Sequence, residues 1–142
     1  MLKKIVFMGT PFFAVPILKS LYKNGYPISV VYTQPAQKSK RGQRVNKSPV
    51  QGISETLNIE LRTPTSLKNN REEYEYLRKL NADIAIVVAY GQIIPKEILN
   101  LFLIRASRVG TENSGVPIKA ILNDINLLLN LNYNSFNCFL LF

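Results

Sequence analysis

The residues with the clearest chemical potential are cations in the first third of the chain. Nine lysines and arginines precede Glu55, which is the first acidic residue, and they equal the whole formal net charge of +9. Five of them lie in one polar segment that has no hydrophobic period: Lys38, Lys40, Arg41, Arg44 and Lys47. Cations spaced in this way can contact successive phosphates, so the segment favours a polyanionic partner such as a nucleic acid. A generically basic, solvated surface is the alternative interpretation.

The chain has no histidine among its 142 residues. The commonest general base at neutral pH is therefore missing, as is the usual partner of a serine or cysteine nucleophile. Hydrolase triads and histidine-based zinc sites are excluded. A single cysteine, Cys138, forms neither an internal disulfide nor a cysteine metal cluster, which favours a reducing, cytoplasmic location. We expect no metal site and no secretory signal, because Gly9-Thr10-Pro11 interrupts the first apolar run.

Apolar runs alternate with helical patterns over the first hundred residues. Continuous apolar or β-branched runs predict strands at four places: Ile5 to Met8, Ile28 to Tyr32, Ile59 to Leu61 and Asp83 to Ala89. Amphipathic spacing and capping residues predict helices at four others: Phe13 to Leu21, Ser48 to Leu57, Asn70 to Leu80 and Pro95 to Leu99. This alternation predicts an α/β fold with a Rossmann-like, doubly wound parallel sheet.

Sheets of this class bind ligands outside the carboxyl ends of their strands. Three predicted turns should therefore meet at one edge: Gly9-Thr10-Pro11, Thr33-Gln34-Pro35 and Tyr90-Gly91-Gln92. Between the second strand and the next helix, residues 33–47 are predicted to form a long polar loop without secondary structure. Any functional site is expected at this edge.

From about residue 100 the composition changes. Residues 120–142 are apolar enough to raise the question of a membrane helix, but they contain Asp124 and six asparagines. Because polar groups are costly in lipid, we expect no membrane span here. Residues 100–142 are predicted to be a divergent or degraded tail.

Several motifs occur in the order and spacing of methionyl-tRNA formyltransferases. They are Lys4 to Pro11, Phe13-Ala14-Val15-Pro16, Thr33-Gln34-Pro35, Arg41-Gly42, Ser48-Pro49-Val50, Asn81-Ala82-Asp83 and Val87 to Lys96. Over about residues 3 to 99 the chain thus resembles the N-terminal part of that family's catalytic domain. The resemblance implies the formyltransferase fold. Members of the family are mostly monomeric, and the oligomeric state of this chain stays open. The resemblance also implies formyl transfer from 10-formyltetrahydrofolate to the amino group of initiator methionyl-tRNA.

The same resemblance implies roles for two segments. The family's inserted loop enters the tRNA acceptor region, and an arginine there matches Arg41. Four further cations surround Arg41 without an acidic residue among them, so the predicted tRNA-contacting residues are Lys38, Lys40, Arg41, Arg44 and Lys47. A second segment matches one that lines the family's folate pocket, largely through backbone groups: Tyr90, Gly91, Gln92, Ile93 and Ile94. One departure is Phe12, which stands where the family usually has an acidic residue.

The match ends before the family's catalytic groups. The best alignment places Leu103 at the position of the catalytic Asn and Arg105 at that of the His, and the catalytic Asp and the C-terminal tRNA-binding domain have no counterpart. Arg105 is able to stabilise an oxyanion but is unable to accept a proton. Residues 101–109 would also have to supply a fifth strand, for which two arginines are poorly suited. We therefore expect no catalytic residue and no transfer activity in this chain.

Three other interpretations stay open. One is a non-catalytic remnant that binds tRNA or another polyanion. A second is a dinucleotide-binding dehydrogenase domain, which is disfavoured because the turn from Gly9 to Ala14 lacks the G-x-G-x-x-G pattern. A third is a sugar-nucleotide or purine-pathway formyltransferase, and the basic segment between Thr33 and Ser48 favours the tRNA enzyme over it.

Overall fold

The computed structural model describes residues 4–38 and 44–109, with side chains up to Phe102. Its elements follow in chain order: β1 (Ile5–Gly9), a 3-10 turn (Phe12–Ala14), α1 (Val15–Lys23), β2 (Ile28–Tyr32), β3 (Gln37–Lys38), β4 (Val45–Asn46), α2 (Pro49–Thr56), β5 (Leu61–Arg62), α3 (Arg71–Leu80), β6 (Ile84–Val88) and α4 (Lys96–Val109). Lys40, Arg41, Cys138 and the predicted tail beyond Val109 lie outside the described residues. None of the helices in the described ranges combines the length and apolar character that crossing a bilayer requires.

Four parallel strands form the central sheet in the order β5-β2-β1-β6. At its centre, Phe7 of β1 lies opposite Val31 of β2 and Ile86 of β6. The chain moves outward from β1 to β2 and β5, and then returns to the other side of β1 to form β6. The predicted Rossmann-like parallel sheet is therefore confirmed, and its topological switch point lies between β1 and β6.

Helices cover both faces of this sheet. On one face, Phe7 and Ile86 pack with Ile17 of α1 in a core that also includes α2. On the other face, Met8 packs in a second core with Leu77 of α3 and with residues of α4. Every residue of β1 and β6 is buried as a result. This explains why both strands have continuous apolar sequences rather than alternating ones.

Two helices begin at side-chain caps, as the sequence predicts. The Ser48 Oγ accepts a 3.0 Å hydrogen bond from the N–H of Gln51, and Pro49 occupies the first position of α2. The Asn70 side chain accepts a 3.2 Å hydrogen bond from the N–H of Glu73 at the start of α3. These caps place the beginnings of α2 and α3 at the carboxyl edge of the sheet.

The prediction of an unstructured loop over residues 33–47 is wrong in part. Gln37 pairs with Asn46, and Lys38 pairs with Val45, in a short antiparallel hairpin of β3 and β4. The hairpin has exposed side chains on both strands, so it leaves no hydrophobic period in the sequence. Of the cations predicted to bind tRNA, Lys38 lies in β3, and Arg44 and Lys47 directly flank β4.

Two element boundaries also differ from the prediction. The third strand of the sheet is Leu61–Arg62 and excludes Ile59, because the Ile59 N–H bonds the Ser54 carbonyl oxygen at the end of α2. Residues 101–109 continue α4 and do not form a fifth strand. Phe102 follows Ile98 by one helical turn, and both side chains are buried, so the apolar face of α4 extends past Leu99.

Candidate functional site

Three turns meet at the carboxyl edge of the sheet, as predicted. After β1, the Thr10 hydroxyl donates a 2.7 Å hydrogen bond to the Tyr90 carbonyl oxygen and accepts a 3.3 Å bond from the Gln34 N–H. The Gln34 side-chain nitrogen then donates a 2.8 Å bond to the Gly91 carbonyl oxygen. The turns after β1, β2 and β6 are thus joined by side-chain to backbone hydrogen bonds at the switch point.

The backbone at this edge has unusual geometry. Ala89 and Gly91 have φ angles of 47° and 81°, in the left-handed region. For a residue with a Cβ this region costs roughly 1–2 kcal/mol, and such strain clusters at functional sites. Gly9 allows a close approach of β1 to β6, since a Cβ there would lie 2.9 Å from the Val88 carbonyl oxygen.

The segment predicted to line a folate pocket presents mainly its backbone and one apolar side chain. Tyr90 is buried in the core, and its hydroxyl donates a 3.2 Å hydrogen bond to Gln92. Burial, and secondarily the charge of Glu73, raise the pKa of Tyr90 above its ordinary value. Gln92 in turn donates to the Pro64 carbonyl oxygen at 2.8 Å. Ile93 is highly exposed, with 80% of its surface accessible.

A cavity of about 640 Å³ adjoins this segment between the beginnings of α3 and α4. We call it the edge cavity. Its apolar lining residues are Leu67, Tyr74, Ile93, Pro95 and Ile98. Its charged lining residues are three cations and one carboxylate: Lys68, Arg71, Lys96 and Glu97. A cavity of this size with apolar walls and a few charged groups is typical of small-molecule sites.

The basic hairpin provides the second candidate surface. Lys38, Arg44 and Lys47 are exposed. Within the described part of the chain, neither Lys38 nor Arg44 forms a salt bridge. Lys47, in contrast, lies 2.8 Å from a carboxylate oxygen of Glu55. Hydrogen bonds from Lys47, and next from Gln51, hold the pKa of Glu55 below its ordinary value.

A second cavity, of about 480 Å³, lies between the first turn and the base of the hairpin. We call it the first-turn cavity. Its lining is largely polar and consists of Thr10, Pro11, Gln34, Pro35, Gln37, Lys38, Asn46, Ser48 and Pro49. The hydroxyl oxygens of Thr33 and Ser48 are 2.6 Å apart, so a hydrogen bond joins the end of β2 to the start of α2 below this cavity.

One buried ionic cluster, near the carboxyl edge of the sheet, was not predicted from the sequence. Glu73 is 6% exposed, and it accepts a 2.6 Å hydrogen bond from Tyr32 and bonds of 2.7 and 3.0 Å from Arg62. The Arg62 guanidinium also stacks 4.1 Å from the centre of the Tyr76 ring. The sequence hides this role, because a glutamate three residues after the Asn70 cap has the pattern of an ordinary capping box.

The residues aligned with the family's catalytic pair, Leu103 and Arg105, are both in α4. In the described ranges, no group of three or more His, Cys, Asp or Glu residues could hold a metal ion. The site is therefore built from turn backbone, two cavities and cationic side chains.

Comparison with known proteins gives consistent matches. Residues 3–107 match the family described as formyl transferase. The methionyl-tRNA formyltransferase of Pelagibacter ubique (strain HTCC1062) is 69% identical over 101 residues, which cover 71% of this chain and 33% of that protein. The methionyl-tRNA formyltransferase of Mesorhizobium japonicum is 49% identical over 111 residues, covering 78% of this chain and 33% of its own length.

A solved structure has the same fold. The phosphoribosylglycinamide formyltransferase from Streptococcus pneumoniae TIGR4 superposes with a TM-score of 0.50 at 14% identity, over 74% of this chain and 54% of that one. The chain spans about a third of the length of the curated relatives it matches. Because the family match covers all the strands and turns of the edge, the chain belongs to the formyl transferase family.

Proposed function

We propose that this chain forms the part of a methionyl-tRNA formyltransferase that faces the formyl donor and the tRNA, and that it transfers no formyl group on its own. The observation that carries the proposal is the hydrogen-bonded meeting of three turns at the carboxyl edge, with a basic hairpin beside them. We assign residues 1–99 to the formyltransferase domain and residues 100–142 to a divergent tail.

The donor proposed is 10-formyltetrahydrofolate, which combines a flat heteroaromatic ring with a carboxylate-bearing end. The edge cavity suits both chemistries, since its walls are largely apolar and its three lining cations outnumber its one carboxylate, Glu97. Ile93 is exposed within the cavity lining, and the segment from Tyr90 to Ile94 supplies the adjoining backbone. Gly91 adopts a left-handed φ of 81° in this segment, which glycine does without strain.

The acceptor proposed is initiator methionyl-tRNA. Lys38 and Arg44 extend from the hairpin without an ion pair among the described residues, and Lys40 and Arg41 belong to the same run of sequence. Phosphate contacts supply most of the affinity of such surfaces, so binding should depend strongly on salt.

The expected chemistry explains why this chain should not catalyse transfer alone. The amino nitrogen of the methionyl group attacks the formyl carbon and forms the new C–N bond. The bond from that carbon to N10 of the folate then breaks, the amine loses a proton and N10 gains one. The tetrahedral species needs donors for its oxyanion and a group that carries the proton. Leu103 lacks a donor, and Arg105 does not accept a proton at neutral pH.

Binding is tested with the whole 142-residue chain and initiator tRNA over a series of salt concentrations. Replacing both Lys38 and Arg44 by alanine should reduce the slope of log K against log salt by between one and two, because about one counterion is released per phosphate contact. Replacing Lys19 and Lys23, which are exposed on α1, by alanine removes the same charge and should leave the slope unchanged. Absent or salt-independent binding of the parent chain removes the tRNA role.

Activity is tested separately by incubating the chain with methionyl-tRNA and 10-formyltetrahydrofolate. We expect no formylation above the uncatalysed rate, since the loss of even one oxyanion donor costs roughly 10²–10³ in rate in well-studied hydrolases. Formylation at a rate comparable with that of a full-length relative overturns this part of the proposal.

A further inference from the structure

The aromatic side chain of Phe12 lies unusually exposed in the first turn. It is 77% accessible, although the following Ala14, Ile17 and Leu18 are fully buried in the core. Packing in the core therefore does not account for an aromatic residue at position 12. Isolated exposed apolar residues are common on protein surfaces, so exposure alone carries no functional meaning.

Phe12 is exposed close in sequence to residues that line the first-turn cavity. Phe12 directly follows Pro11, which lines the first-turn cavity. The 3-10 turn that contains Phe12 packs against α2, and Pro49 at the start of that helix also lines the cavity. Lys38 lines the cavity from the hairpin and has no salt bridge among the described residues. An exposed aromatic residue thus comes next in sequence to the wall of a cavity of about 480 Å³ that a cation also lines.

The remaining lining adds hydrogen-bonding groups that suit a nucleotide. Gln37 and Asn46 pair across β3 and β4. Both residues line the cavity, and both have amide side chains. Amides offer both donors and acceptors, which match the edges of a base and the hydroxyls of a ribose. None of the described residues that line this cavity carries a carboxylate, so none of them repels a phosphate.

We propose that Phe12 is a stacking platform for an unpaired nucleobase at the 3′ end of a bound RNA, with the first-turn cavity holding the attached sugar and phosphate next to Lys38. The inference rests on the proposed tRNA role and adds to it a residue that contacts an unpaired base. Stacking on an aromatic side chain is tolerant of sequence, because every base has a flat face. The site therefore selects an unpaired end over a blunt one, whatever its sequence.

The test uses two RNA hairpins with the same stem, of which one ends blunt and the other carries a short unpaired 3′ tail with 2-aminopurine as its last base. Phe12→Ala should weaken binding of the tailed RNA about tenfold and leave the blunt RNA unaffected. Phe12→Tyr keeps a stacking ring and should retain parental affinity. The parent chain and Phe12→Tyr should quench 2-aminopurine fluorescence, whereas Phe12→Ala should not.

Tyr22→Ala is the matched control, because Tyr22 is 48% exposed in the last turn of α1, at the opposite end of that helix from Phe12. It should change neither affinity. If Phe12→Ala alters neither RNA, or weakens both equally, the stacking platform is wrong, while salt-dependent binding by the hairpin keeps the tRNA role. If the parent chain binds neither RNA, the tRNA role and the platform fail together.

Discussion

The side-chain nitrogen of Gln34 donates a 2.8 Å hydrogen bond to the carbonyl oxygen of Gly91, and this contact joins the turn after β2 to the turn after β6. The Gln34 side chain is so close that a Cβ built on Gly91 would collide with its amide nitrogen. Gly91 also has a φ of 81°, which residues with a Cβ adopt at a cost. Two separate effects therefore favour glycine at this position.

Gly91→Ala should destabilise the chain by about 1–2 kcal/mol, mainly because of the left-handed backbone. The collision contributes less, since the Gln34 amide is the far end of a flexible side chain. The cost should therefore persist when Gln34 is also replaced by alanine. Urea unfolding followed by circular dichroism measures each free energy of unfolding.

Gly52→Ala is the control for this substitution. Gly52 lies inside α2, where a Cβ meets nothing within 4 Å. Alanine there should stabilise the chain by roughly 0.5–1 kcal/mol, because glycine is unfavourable within a helix. Equal effects of the two substitutions would contradict the role of the Gly91 backbone.

Glu73→Gln should destabilise the chain by about 2–3 kcal/mol. The carboxylate is buried and accepts hydrogen bonds from Tyr32 and both nitrogens of an Arg62 fork. Removing its charge leaves Arg62 without its closest anion. Loss of one partner of a buried ion pair destabilises the folded chain, because the remaining charge is left unpaired. The estimate is below that for a fully buried pair, because the Arg62 side chain is 23% exposed.

Glu72→Gln provides the comparison within the same cluster. Glu72 also contacts Arg62, at 3.3 Å, but its side chain is 83% exposed. Exposed pairs contribute little, so this variant should stay within about 0.5 kcal/mol of the parent. Similar losses for the two glutamine variants in urea unfolding would show that burial of Glu73 does not matter.

Stability should fall steeply above about pH 10 because three tyrosines have raised pKa values. Burial is the main cause for Tyr32, Tyr76 and Tyr90, and carboxylates near them act in the same direction. The unfolded chain loses these phenol protons near pH 10 while the folded chain keeps them. Their stabilising contribution is therefore complete below pH 10 and is lost as the pH rises.

Each such tyrosine contributes at most about 1.4 kcal/mol per pH unit to this decline. Tyr32→Phe should reduce the slope of unfolding free energy against pH by that amount above pH 10. At neutral pH the same variant should lose about 1 kcal/mol, through the hydrogen bond to Glu73. An unchanged alkaline slope in Tyr32→Phe would exclude the buried phenol as a cause.

Much of this architecture could be predicted from local patterns. The runs in β1 and β6 are apolar throughout because both faces of the sheet are covered, and Ser48-Pro49 combines a capping side chain with a residue suited to the first helical position. The meeting of the turns follows from topology, since parallel strands end at one edge. Signals of this kind depend on residues close in sequence.

The features that could not be predicted leave no signal in the local sequence pattern. The hairpin is set by backbone pairing between Lys38 and Val45, and their exposed side chains leave no periodic signal. The burial of Glu73 depends on Tyr32, 41 positions away, which its local capping pattern does not reveal. The edge cavity is similar, because it forms only where the beginnings of α3 and α4 come together.

Glu55→Gln should increase RNA affinity without a large change in stability. Glu55 is exposed and holds Lys47 in an ion pair of 2.8 Å beside the basic hairpin. Surface pairs of this kind stabilise little, so the free energy of unfolding should stay close to that of the parent chain. Once released, Lys47 can contact a phosphate, which should steepen the salt dependence of RNA binding by up to about one.

Glu72→Gln separates this local effect from a change of net charge. It removes one negative charge, as Glu55→Gln does, but from the start of α3, where Glu72 pairs with Arg62 instead of a hairpin cation. It should leave the slope of log K against log salt at the parental value. If both variants steepen the slope equally, RNA senses only the overall charge. A steeper slope in Glu55→Gln alone assigns the added phosphate contact to Lys47.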